Sequence, residues 1–96
     1  MTRKEFQGKP VYAVEQYVPP AACPDLARFV IAVRVAAAAG ASDVHRPRLA
    51  CSLFVPEDDL CLHLLSAASP ATAAEAADRA AITVERITAA TVWFLT

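Results

Sequence analysis

The sequence predicts an α+β fold in which two helices cover one face of a four-stranded antiparallel sheet. Three observations predict it. Strand-like and helix-like stretches follow one another as β-α-β-β-α-β. The two middle strands are parted only by Pro56-Glu57-Asp58-Asp59, a turn-forming string that makes them a hairpin. The chain has only 96 residues, enough for one core and too few for separate cofactor and substrate domains.

Residues 1–9 are polar, with Arg3, Lys4, Glu5 and Lys9, and read as a flexible tail ahead of a single domain over 10–96. Residues 11–18 (VYAVEQYV) are β-rich and stop at Pro19-Pro20, which cannot continue a ladder. Pro24 suits a first helical position and Asp25 the positive end of a helix dipole. Leu26, Phe29, Val30, Val33 and Ala37 then recur at helical spacing up to Gly40, predicting a helix over 24–39. A loop with Ser42, Asp43 and Pro47 leads to the strands at 48–55 and 60–67. Ser69-Pro70 offers an N-cap followed by proline at the first helical position, opening an alanine-rich helix to about residue 81. The β-branched and aromatic run 84–95 is the last strand. This order is the split-βαβ, or ferredoxin-like, arrangement.

Composition narrows the function. A formal charge of −1 offers no basic surface for nucleic acid. Two glycines, Gly8 and Gly40, exclude a glycine-rich phosphate loop, so no nucleotide cofactor is expected. Arg28, Arg34, Asp58 and Asp78 interrupt every apolar run before it reaches the roughly 20 residues of a membrane span. The opening Met1-Thr2-Arg3-Lys4-Glu5 lacks the apolar stretch of a signal peptide. Three cysteines (Cys23, Cys51, Cys61) without CxxC spacing suit a reducing, cytoplasmic setting. Against this, 56% of the residues are hydrophobic, an excess for a body this small, and 22 of them are alanines that bury little area each. A second copy of the chain is the expected cover.

Strand alternation locates the excess. Pairing Val55 with Leu60 puts Cys51, Leu53, Val55, Leu60, Leu62 and Leu64 on one side of the hairpin. Ala50, Ser52, Phe54, Cys61, His63 and Leu65 fall on the other. The first set is wholly apolar and is expected under the helices together with Tyr12, Val14 and Val18. The second is expected to face away, with Val11, Ala13, Glu15 and Tyr17. On this reading Glu15, Ser52, His63 and Cys61 share the open face, and two such faces closing on each other form a dimeric α/β barrel with these groups in its cleft.

Several segments carry a resemblance: Val14-Glu15-Gln16-Tyr17-Val18-Pro19, Cys51-Ser52-Leu53-Phe54-Val55-Pro56-Glu57-Asp58-Asp59, Cys61-Leu62-His63-Leu64 and Glu85-Arg86-Ile87. Together they resemble a family of small bacterial proteins of unassigned function, some described as nickel-binding, with a ferredoxin-like dimeric barrel fold. The likeness runs over about residues 11–92, and the Pro-Glu-Asp-Asp turn between Ser-Leu-Phe-Val and Cys-Leu-His-Leu is its most distinctive string. It implies the fold, a homodimer and nickel as a ligand, and no reaction. Typical members carry an acidic residue before the alanine that ends the third strand, where this chain has Leu65-Ser66-Ala67.

The candidate ligand cleft is therefore Glu15, Tyr17, Ser52, His63 and Arg86, and the candidate metal ligands are His63, Cys61 and Glu15. Imidazole, thiolate and carboxylate suit a late first-row divalent metal better than Mg²⁺ or Ca²⁺. His63 is either a ligand or a core histidine bonded to Ser52 or Glu15. Glu15 is either a base or metal ligand, or an ion pair with Arg86 or with the other subunit. Cys51 reads as core. His45, Arg46 and Arg48 read as a solvated cluster, and Glu57-Asp58-Asp59 as a solvated turn. Trp93 and Phe94 point to opposite faces of the last strand. The functions compatible with this set are a metal-binding homodimer, a cofactor-free enzyme of monooxygenase or isomerase type, and a ligand-sensing module.

Overall fold

The computed structural model describes residues 9–39 and 46–93. The expectations for the tail ahead of Lys9, for Gly40, Ser42, Asp43 and His45, and for Phe94 lie outside those residues. The elements run β1 (Val11–Tyr17), α1 (Leu26–Ala38), β2 (Arg48–Val55), β3 (Leu60–Ser66), α2 (Pro70–Ala80) and β4 (Val84–Ala90). The strands form one antiparallel sheet in the order β2-β3-β1-β4. This is the predicted βαββαβ, ferredoxin-like architecture.

Local chemistry accounts for the ends. Pro19 and Pro20 stop β1, and the chain turns through a 3-10 segment, Pro20–Asp25, so α1 begins at Leu26, two residues later than the position of Pro24 suggests. The hairpin turn is a 3-10 turn over Pro56–Asp58, closed by Asp59 in the left-handed region (φ 50°), which aspartate tolerates better than most residues. The Ser69 hydroxyl caps α2 by accepting from the Thr72 N–H at 3.2 Å, with Pro70 next in the chain, as expected. That helix ends on Ala81, also left-handed at φ 58°. β4 stops at Ala90, short of the expected residue 95, and Trp93 stands exposed beyond it.

Both helices bury the same i, i+3, i+4 stripe: Val33, Ala36 and Ala37 on α1, and Ala73, Ala76 and Ala77 on α2. The alanines let the helices lie close to each other and to the sheet. Val14, Leu65 and Ala67 meet them there, with Tyr12, Leu49, Val84 and Ile87 packed around the edge.

One expectation about this sheet is overturned. From Cys51 onward the pairing is as predicted, with Val55 opposite Leu60 and Leu53 opposite Leu62, whereas a register shift between Leu49 and Cys51 sets Leu49, and not the expected Ala50, on the face of Leu65. The side covered by the helices is the other one. Val14 lies opposite His63, and Gln16 opposite Cys61, so His63, Cys61, Ser52 and Phe54 share the helix-covered face with Val14. The leucine-rich set stays open: Leu53 is 53% exposed, and Cys51, read as core, is exposed. The physical reason lies in β1. Glu15 pairs with Leu62 on one side and Arg86 on the other, so burying the leucine face would draw a carboxylate and a guanidinium under the helices. Sealing a neutral imidazole, amide and hydroxyl that bond one another costs far less desolvation.

Candidate functional site

The groups expected to converge are divided between the two faces of the sheet. On the helix-covered face, β3 delivers His63, β2 delivers Ser52 and β1 delivers Gln16, because these residues occupy successive cross-strand positions. The Ser52 hydroxyl lies 2.8 Å from His63 Nδ1, and Gln16 Oε1 lies 2.8 Å from Nε2. Burial pulls the imidazole down to a pKa of about 4, so the ring is neutral near pH 7. A neutral ring donates from one nitrogen and accepts at the other. Nε2–H donates to the Gln16 carbonyl oxygen, and Nδ1 accepts from the Ser52 hydroxyl. Cys61 Sγ sits 4.0 Å from Nδ1 and is buried, which pushes its thiol pKa up.

This serine–histidine–amide chain has the connectivity of a proton relay, and its environment works against that use. The imidazole is sealed from solvent, and a base titrating near 4 takes up a proton weakly at neutral pH. What the arrangement does is satisfy every polar atom of a histidine placed in an alanine- and leucine-lined core.

On the open face, Glu15 and Arg86 meet as an ion pair. Arg86 stands directly opposite Glu15 at the end of the regular β1–β4 register, and the ladder shifts just beyond it, where Gln16 pairs with Val84. Arg86 Nε donates to Glu15 Oε2 at 2.5 Å and Nη2 to Oε1 at 3.4 Å, and this partner raises the guanidinium pKa. Glu15 is nearly covered while Arg86 reaches into solvent. Tyr17, 49% exposed, lies two residues along β1 on the same face.

The proposed ligand set for nickel does not assemble within one chain. Glu15 and His63 occupy opposite faces, both imidazole nitrogens are already bonded, and burial favours the protonated form of the neighbouring Cys61 thiol. Among the described residues no group of three His, Cys, Asp or Glu side chains is placed to hold a metal ion. Of the expected cleft, Glu15, Tyr17 and Arg86 do share the open face, and Ser52 and His63 do not.

Two features escaped the sequence reading. Gln16 stands two residues from both Val14 and Val18, so a strict period-two count along β1 places it with them under the helices. The arginines at 34, 46 and 48 line one concavity, where a solvated loop was expected for the latter two. No spacing rule joins a helix residue to a loop that far along the chain. Compared with known proteins, the chain matches no family model, no curated protein and no solved structure.

Proposed function

We propose that the protein is a homodimeric small-molecule-binding module, paired through the open face of its sheet, with the ligand held in the cleft between the two sheets. The observation that carries this reading is the open face itself. Leu53, Leu62, Leu64, Val55 and Tyr17 share this face with the Glu15–Arg86 ion pair, a mixture too apolar for a solvated surface. An adjacent carboxylate and guanidinium are also self-complementary under a two-fold axis, which lays each charge toward its opposite on the second copy. Arg86 is the group offered to an anionic ligand, and Glu15 holds it in place. A cofactor-free enzyme using Glu15 for proton transfer would occupy the same cleft. The family likeness set out above, and a cytoplasmic location in keeping with three free cysteines, belong to this proposal.

Divalent-metal binding, nickel above all, is the second reading, and it is favoured by the side-by-side placement of the Cys61 thiol and the His63 imidazole. It requires Ser52 to yield its bond to Nδ1.

The test is light scattering at micromolar concentration on the parent and on Leu53→Asp. A dimeric parent and a monomeric, folded variant support the proposal, and a monomeric parent overturns it. Metal content is measured on the same untagged samples. Nickel retained by the parent and lost from His63→Gln supports the metal reading, and no retained metal removes it.

A further inference from the structure

We propose that the cleft of the homodimer binds a monocarboxylic acid with an apolar body, its carboxylate held by Arg86; the site rests on the dimer proposed above. A guanidinium offers its N–H donors as two forks, one through Nε and Nη2 and one through Nη1 and Nη2. Glu15 occupies the first, with Nε donating to Oε2 and Nη2 to Oε1. Joining β1 to β4 needs that inner fork alone. The outer fork has no acceptor among the described residues, and it belongs to a side chain that is 71% exposed.

A second copy laid over this face removes water from the outer N–H groups, and a covered cationic donor without an acceptor is costly. The partner's Glu15 is a poor acceptor for them. In each chain both carboxylate oxygens already accept from Arg86 of the same chain, and the Glu15 side chain is only 11% exposed. A planar carboxylate that takes two parallel N–H bonds at once fits the outer fork.

The surroundings set the rest of the ligand. Cross-strand register lines up Arg86, Glu15, Leu62 and Leu53 in one row. Ala13, opposite Leu64 on one side and Thr88 on the other, is the low point of the next row and leaves room for a chain to lie beside them. From β4 to β2 is three strand spacings, about 14 Å, so a carboxylate on Arg86 has about 10 Å of largely apolar bed for its body. Glu15 sets the charge. With Arg86 it forms a neutral pair, so a second negative charge on the ligand would meet the Glu15 carboxylate unopposed. A carboxylate monoanion is therefore selected over a phosphate dianion. An alcohol with the same body lacks the second acceptor oxygen.

The experiment is a titration of ¹⁵N-labelled protein at neutral pH with octanoate, octan-1-ol and octyl phosphate, each kept below its micelle concentration, with light scattering on the same samples. The expected result is a dimer with saturable octanoate shifts of the Ala13, Leu62 and Thr88 amides, and about ten-fold weaker binding of the other two compounds. Arg86→Lys keeps a charge beside Glu15 and gives up the fork, so it weakens octanoate by about ten-fold and leaves octan-1-ol unchanged. Leu53→Asp, which opens the cleft, loses octanoate binding. A dimeric parent with no saturable binding, equal affinity for acid and alcohol, or an Arg86→Lys protein that binds octanoate like the parent would overturn this site and leave the homodimer standing. A monomeric parent would overturn the homodimer and the cleft with it.

Discussion

His63 is buried as a neutral ring between two hydrogen bonds, and acid must charge it where no solvent reaches. Its ordinary value of 6.5 falls to about 4 in the folded chain. A base with a lowered folded pKa takes up its proton more readily when unfolded, so its contribution is complete above pH 6.5 and is lost as the pH falls toward 4. Each pH unit of the gap is worth about 1.4 kcal/mol. Moving from pH 7.5 to pH 5 therefore removes about 2 kcal/mol, and moving to pH 4 about 3 kcal/mol, after which the curve flattens. Carboxylates titrate in the same range, so the quantity to measure is a difference. Urea unfolding of the parent and of His63→Gln, which hydrogen-bonds without titrating, is followed at half-unit steps over this range. The gap between the two free energies should close by about 2 kcal/mol on reaching pH 5. Two parallel curves would show that His63 is not held neutral, and the account of the buried network would fail with them.

Ala81→Gly relieves the left-handed strain at the end of α2 and should raise stability by about 0.5–1 kcal/mol, read as a higher urea midpoint with an unchanged slope. Ser69→Ala removes the hydroxyl that accepts from Thr72 and should cost about 1 kcal/mol in the same assay. Leu65→Ala opens a cavity in the best-buried part of the sheet and should cost about 2–5 kcal/mol, seen as a drop in the thermal midpoint. Gln16→Leu strips Nε2 of its acceptor inside the core and should cost about 1–3 kcal/mol, while Tyr17→Ser on the open face should leave the monomer's stability nearly unchanged.

Legibility in the sequence followed the range of the physics involved. Ser69-Pro70 announces the start of α2 because an N-cap needs only a hydroxyl and the amide three residues on. Pro56-Glu57-Asp58-Asp59 announces the hairpin, and with it the Val55–Leu60 pairing, because a four-residue turn sets its own register. Glu15 beside Arg86 was legible as one of two alternatives, since both charges sit on strands that become neighbours. The parity of Gln16 with Val14 and Val18 is readable in the sequence, and its partner His63, 47 residues on, is not. The α1 start slipped by two residues because Pro20 and Pro24 shape a 3-10 turn before the α-helix begins.

The order of elements, and the hairpin register with its two alternating sets from Cys51 onward, were determined by the sequence alone, because each depends on neighbours a few positions away. An excess of apolar surface for one small body was readable there too. Which of the two sets lies under the helices was decided only in the tertiary structure. That choice compares the desolvation of whole faces across three strands, and it turns on residues 71 positions apart: the Glu15–Arg86 pair is cheaper to leave at the surface than to bury. The neutral Ser52–His63–Gln16 chain, which satisfies itself, could be buried in its place. The leucine face was left open as a result, and the apolar excess first seen in the composition lies there.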